Sequence, residues 1–408
     1  MPSAARIMQR CDALARHSEL AGGLTRVFLS REYRAATEEV LGWMREAGMQ
    51  ASLDAIGNVA GRYEGVRAGL PCLMLGSHLD TVRDAGRYDG MLGVITAIEC
   101  VAALARQGKR LPFAIEVLGF GDEEGVRFGT SMLGSRAVSG TLDAATLDAR
   151  DAAGVTISDA LRGFGLDVSR IPRLARKKGE VLAYAELHIE QGPVLEAESL
   201  PVGVVSAING FSRLRATLAG VAGHAGTVPM KLRRDALAAA AECVLAIERI
   251  ARSDAELVGT VGRIEAKPGA INVIPGEVQF TIDFRAPRDA LREQAVRAAI
   301  AAVEKTAAER RLECKVESIQ ELSVTACAPW LIEQFERAVA AEGVRVRRLP
   351  SGAGHDGQAM QAIADVAMLF VRCKDGVSHN PAESITEADA GAGARALLRF
   401  IERFEPRR

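Results

Sequence analysis

The chain has 408 residues, 48% of them apolar and 25% charged, the profile of a globular protein long enough for two domains. Its 51 basic and 52 acidic side chains almost cancel, which excludes a general electrostatic pull towards nucleic acid or an anionic membrane. Aromatic residues make up only 4%, too few for base-stacking surfaces, and the seven cysteines are scattered without a CxxC pair, which excludes a disulfide framework and a thiolate metal site.

From Met1 to Leu20 charged and apolar residues are mixed, with no signal-peptide core. No charge-free run is long enough to cross a bilayer, so the expected compartment is the cytoplasm. Apolar residues at helical spacing (Ala36, Val40, Leu41, Met44) predict a helix over 31–48, stopped by Gly48. Residues 71–77 read as a buried strand, 91–107 as a helix and 113–120 as a second strand. Alternating strands and helices over the first 200 residues imply a mostly parallel sheet covered on both faces.

The pattern changes after Asn209-Gly210. A half-buried strand over 211–219 precedes an Ala-rich helix over 233–252. Strands follow at 257–265 and 276–284, then a helix at 288–309 and a strand at 312–320. This βαββαβ order is the ferredoxin-like arrangement, so residues 210–325 read as an inserted α+β domain. The chain then returns to the first domain, 1–209 and 326–408, with a helix at 328–342, a strand at 365–372 and a final helix at 386–404.

Five of the six histidines fall in segments that look like sites: His78, His188, His224, His355 and His379. His78 follows a hydrophobic strand, where α/β sheets place ligands. Asp80, two residues on, is placed to orient its ring or to cap a turn. Asp89, flanked by Gly90 just before a helix, is either an N-cap or a ligand. Glu123 and Glu124 sit together at a strand end, where a dication would relieve their repulsion and leave one carboxylate free as a base; a solvated acidic turn is the plainer reading. Alternation puts Glu186, His188 and Glu190 on one strand face, and His379 follows the strand at 367–371. Two histidines, an aspartate and a glutamate from separate strand ends suffice for a pair of N/O-ligated divalent ions.

Together the motifs Gly76-Ser77-His78-Leu79-Asp80, His188-Ile189-Glu190-Gln191-Gly192-Pro193, Gly223-His224-Ala225-Gly226-Thr227-Val228-Pro229-Met230 and Ser378-His379-Asn380-Pro381 closely resemble peptidase family M20, and within it the allantoate amidohydrolase and N-carbamoyl-L-amino-acid hydrolase branch. The resemblance implies a di-metal catalytic domain with an inserted lid and dimerisation domain. It implies two divalent ions per subunit (Mn or Zn, with Co also suited), bridged by Asp89, with His78 and His188 completing one and Glu124 and His379 the other. Glu123 becomes the general base. His224 reaches the partner subunit's active site in a homodimer and stabilises the oxyanion, while Asn272 and Arg285 bind the substrate carboxylate. His188 points to the carbamoyl branch, because peptidase members more often carry an acidic residue there.

The glycine-rich loop Ser351-Gly352-Ala353-Gly354-His355-Asp356 reads as a substrate-binding loop through Ser351, Gly352 and Gly354, supported by His355 and Asp356; ordinary helix capping by Asp356 is the alternative. Gln191, Ser212, Arg213 and Asn380 are polar candidates for the rest of the substrate, and Phe211 could line an apolar slot instead. The expected substrate is a small carboxylate-bearing ureide, allantoate first. The alternatives are N-carbamoyl-L-amino acids or a β-ureido acid, and then a dipeptide.

Overall fold

The computed structural model describes residues 1–407, which divide into two compact units, Met1–Ser206 with Ala326–Arg408, and Ala207–Thr325. The second unit begins three residues before the break read at Asn209-Gly210.

The first unit is built on a sheet whose centre is parallel. Ala114–Phe120, Cys72–His78, Val181–Ile189 and Val366–Val371 lie side by side in that order, each parallel to its neighbours. Antiparallel strands flank them: Val59–Tyr63 with Gln50–Leu53 on one side and Val202–Ile208 on the other. The central strands are buried at every position of Cys72–His78, Ala114–Phe120 and Val366–Val371, as expected for a sheet covered on both faces. The helix Met91–Arg106 is buried along nearly its whole length, which explains why its sequence lacks a polar face. All four central strands run the same way, so their C-terminal ends deliver His78, Gly121, Glu190 and Arg372 to one edge.

In the second unit, the strand Gly210–Ala219 alternates buried and half-buried residues, the mark of a sheet with one covered face. It pairs antiparallel with both Glu277–Ala286 and Glu313–Leu322, and Ile264–Lys267 closes the order on the far side of Glu277–Ala286. The helices Ala236–Ala251 and Asp289–Glu309 cover one face through small residues such as Ala239, Ala240, Ala295 and Ala299. The single strand expected over 257–265 is broken: Val258–Thr260 and Ile264–Lys267 are separate strands on either side of Gly262. The cysteines are free thiols, all buried except Cys314. Among the described residues no helix is long and apolar enough to cross a membrane.

Candidate active site

The carboxylate of Asp89 is the centre of the site. Its Oδ1 lies 3.4 Å from His78 Nε2 and 3.1 Å from His188 Nε2, and its Oδ2 lies 3.2 Å from His379 Nε2. Glu124 Oε1 stands 3.6 Å from the same His379 nitrogen. Two groups of ligand-type atoms therefore share Asp89, one with His78 and His188 and one with Glu124 and His379, each set within 4.8 Å. Glu123 joins His78 and Glu124 in a third such group.

The chain fixes these rings by their other nitrogens. His78 Nδ1 donates to the Asp80 carbonyl at 3.0 Å, and His188 Nδ1 donates to the Ile189 carbonyl at 2.9 Å. The Gly90 N–H lies 3.2 Å from His188 Nε2. With Nδ1 tied to the backbone, both Nε2 atoms are left facing Asp89, the arrangement that orients a metal-binding imidazole. Gly90 has φ +79°, and a Cβ there would stand 2.5 Å from the His78 ring, so glycine is required. Asp89 does not cap the helix that follows it.

The turn carrying Glu123 and Glu124 is held from outside. The Asp80 carboxylate accepts the N–H of Glu123 at 3.1 Å and of Glu124 at 3.2 Å. Asp80 was expected to orient His78 with its side chain, but its backbone carbonyl does so; the carboxylate is 4.0 Å from the ring. Asn58 Oδ1 accepts the Gly121 N–H at 3.0 Å, and Asn58 Nδ2 donates to the Gly134 carbonyl. Asp122, Gln191 and His379 all have positive φ without being glycine, backbone conformations that cluster where a site must be shaped.

Electrostatics make this a site short of positive charge. Burial, with Glu124, Asp356 and Asp80 adding to it and His78 opposing, pushes the Glu123 carboxyl well above the usual carboxylate range. Burial raises Glu124 to about 7. Burial would also raise Asp89, but hydrogen bonds to His188, His379 and His78 hold it well below the ordinary range. His78 and His188 are correspondingly held above the usual imidazole value by Asp89, against the effect of burial. Imidazoles and carboxylates converge here with nothing but one another to offset the carboxylate charge, and the all-N/O donor set suits divalent cations.

The remaining expected residues divide. Gln191 is in the site: its Nε2 donates to Asp89 Oδ2 at 2.9 Å, and its Oε1 is buried with no partner. Gly354 lies against the base, since a Cβ there would stand 3.9 Å from Glu123 Oε1. Gly352 is exposed. The Ser351 hydroxyl is engaged inside its own loop, with the Ala353 carbonyl and, at 2.7 Å, His355 Nε2. His355 is buried edge-on against the His188 ring, centroids 4.5 Å apart; burial and His188 keep it neutral. Asp356 does not cap its helix. Glu190 follows the strand directly, its N–H still donating to the Val371 carbonyl at 2.9 Å. The strand ends at Ile189, and the Glu190 carboxylate accepts the N–H groups of Val194 and Leu195.

In the second unit, His224 is exposed and accepts the Gly226 N–H on Nδ1 at 3.0 Å, which leaves Nε2–H as an outward donor. Asn272, also exposed, sits beside it, because Val273 pairs with His224. Arg285 is paired with Asp283, which also accepts Arg213, and both guanidinium groups lie over the Phe211 ring. Phe211 is half-buried beneath them, and Ser212 is buried against Arg292.

Sequence reasoning passed over Glu383. Its Oε1 accepts the N–H groups of Tyr88 at 2.8 Å and Asp89 at 3.2 Å, and its Oε2 lies 3.1 Å from Ser378 Oγ. It ties the Asp89 turn to the loop of His379. An acidic residue after Asn-Pro, close to a ligand histidine, was the available signal.

A parallel α/β sheet that gathers histidines and carboxylates at the C-terminal ends of its strands defines a hydrolase of the metal-ligating kind. Residues 74–403 match the model of peptidase family M20/M25/M40, and the chain belongs to that family. It is 44% identical to N-carbamoyl-L-amino acid amidohydrolase of Geobacillus stearothermophilus, over 93% of each chain. It is 39% identical to allantoate deiminase 2 of Glycine max, over 95% of this chain and 87% of that one. A hydantoinase/carbamoylase-family amidase from Burkholderia multivorans superposes with a TM-score of 0.93 at 35% identity, covering 98% of this chain and 97% of that one. The chain is an amidohydrolase of this family, acting on non-peptide C–N bonds.

Proposed function

We propose that the protein hydrolyses the ureido C–N bond of a small carboxylate-bearing ureide, allantoate, releasing ureidoglycine, ammonia and carbon dioxide. The observation that carries this reading is the meeting of three imidazole Nε2 atoms on the Asp89 carboxylate with Glu123 beside them.

His78, His188, Asp89, Glu124 and His379 would hold two divalent cations, with Asp89 shared. Bound there, the cations would polarise the scissile carbonyl and lower the pKa of the attacking water. Glu123 takes the proton from that water and delivers it to the departing nitrogen. Asp80 keeps Glu123 aimed through its backbone N–H. Gln191 holds Asp89 with its amide nitrogen, and its unpaired Oε1 is assigned to a ureide N–H.

The substrate carboxylate is assigned to Arg285 and Asn272, and the developing oxyanion to His224 through Nε2–H. Within one chain these groups are far apart. His224 and Asn272 lie just beyond the Glu277 end of the strand Glu277–Ala286, whereas Arg285 is at its other end, eight residues and about 26 Å away. One substrate molecule does not span that distance, so the two sets are assigned to different active sites of a homodimer, His224 and Asn272 to the partner subunit's. The exposed apolar residues Val221, Met230, Leu232 and Ile271 surround His224 and supply a surface for that partner. The unit's βαββαβ order is that of a ferredoxin-like lid, and dimerisation is assigned to it.

A second reading, hydrolysis of N-carbamoyl-L-amino acids, is supported by the 44% identical Geobacillus relative. Ammonia release from allantoate, N-carbamoyl-L-methionine, N-carbamoyl-β-alanine and a dipeptide's amine release, all with Mn-loaded protein, separate the readings. The first expects the highest kcat/KM with allantoate. A higher value for either carbamoyl amino acid selects the second, and cleavage of the dipeptide alone overturns both.

A further inference from the structure

On one face of the first unit's sheet lies a cavity of about 790 Å³ that the hydrolytic site does not use. Its floor is apolar, formed by Leu53, Ala60, Leu118 and Val138. Its wall carries four cations, Arg170, Arg173, Arg176 and Lys177. Arg170 and Arg173 stand three residues apart on the 3₁₀ helix Val168–Leu174, a spacing at which side chains eclipse and share a face. Arg176 is held in place by the buried Glu116 at 2.9 Å. The side chains of Arg170, Arg173 and Lys177 have no ion pair or hydrogen bond among the described residues.

The acidic residues of the lining make no hydrogen bond to these side chains, although Asp167 lies close enough to Arg170 and Arg173 for both to lower its pKa. Asp54 accepts the N–H groups of Ile56 and Asn58 and the Asn58 side-chain amide. Asp167 caps the 3₁₀ helix through Ser169, and Glu180 accepts the Lys177 backbone N–H. Three cations that make no hydrogen bond or close ion pair therefore converge over a greasy floor, in a chain whose overall charge is only −1.

We propose that this cavity is an effector site for a small organic phosphate, its phosphate held by the arginine forks and its body on the apolar floor. The site is joined to the catalytic turn by a short chain of bonds. Asp54, in the cavity wall, fixes Asn58; Asn58 in turn accepts the Gly121 N–H at 3.0 Å, two residues before Glu123. An occupant that tightens the Asp54 loop biases the turn that carries the base. This coupling rests on the amidohydrolase reading, whereas the binding does not.

The test is calorimetric titration of the metal-loaded protein with AMP, inorganic phosphate and citrate, repeated with Arg170→Glu and Arg173→Glu. The expected result is one AMP bound per chain, more tightly than inorganic phosphate or citrate. Each variant should lose at least about tenfold in affinity, the loss of one charge-assisted hydrogen bond, with unchanged Tm. AMP affinity that survives both variants locates the nucleotide at the metal centre and overturns the proposal, as does absence of binding. Citrate binding as tightly as AMP overturns the phosphate assignment. Turnover should change on saturation with AMP in the parent protein and not in the variants; binding without any change in turnover overturns the coupling and leaves the hydrolytic reading untouched.

Discussion

Asp80 holds the backbone of Glu123: one carboxylate oxygen accepts the Glu123 N–H at 3.1 Å, and the other accepts that of Glu124 at 3.2 Å. The same residue's carbonyl, not its side chain, orients His78. The two tasks are therefore separable by mutation. Asp80→Asn turns an amide N–H₂ towards one of two backbone donors and leaves the carbonyl in place. It should lower kcat about 10–100-fold, the usual effect of losing a supporting partner, while metal analysis finds the parent's content. Loss of metal with retained turnover per bound ion would reassign Asp80 to the ligand side.

Glu383 is expected to act on metal affinity. It accepts the Asp89 N–H and lies within reach of Ser378, whose hydroxyl is 3.0 Å from Asp89 Oδ2. Glu383→Ala should weaken metal retention about 10–100-fold on dialysis against a chelator. Gly86→Ala provides an independent route to the same defect, because its Cβ would stand 2.3 Å from Glu383 Cβ. Parent-like metal retention in both variants would remove Glu383 from the site.

Much of this site is legible in the sequence because strand ends announce it. One apolar run ends at His78, another shortly before Glu123, and His379 follows in the loop after a third. What escapes is support that arrives from far along the chain. Glu383 reaches Tyr88 across 295 residues and Asn58 reaches Gly121 across 63, and no local period records either. The role of Glu190 as acceptor for the N–H groups of Val194 and Leu195, beyond the turn through Gln191 at φ 56°, has no local signal either. The second unit's sheet was readable from its alternation, but the break near Gly262 was not, because its flanks are both strand-like.

Asp54 should give a stability signature on the acid side. Burial pushes its carboxyl up to about 6 in the folded chain, against hydrogen bonds from the Asn58 and Ile56 N–H groups. The folded state therefore binds the proton more tightly than the unfolded chain, whose aspartate titrates near ~3.9. Stability from this group falls as pH rises through that window, and above it the buried charge is a standing cost. Asp54→Asn removes the titration, so its deficit in Tm relative to the parent should be smaller at pH 7 than at pH 4. A deficit that grows with pH would show that the carboxylate form is the stabilising one.

The division of substrate groups between subunits predicts complementation. His224→Ala and Glu123→Gln chains should each be inactive alone. Mixed and allowed to exchange, they form dimers in which one site has both groups intact, and part of the activity should return. Exchange verified by mass, with no recovered turnover, would place His224 in its own chain's site or in none.

The most direct test of the account is the pair Glu123→Gln and Glu124→Gln, read by metal content and ureide turnover together. Glu123 is assigned to move protons and Glu124 to hold a cation beside His379 and Asp89. The account predicts that Glu123→Gln keeps the parent's metal content and loses turnover by about 100-fold or more, while Glu124→Gln loses metal. Metal loss in Glu123→Gln equal to that in Glu124→Gln would contradict the assignment of the base and, with it, the mechanism built around Asp89.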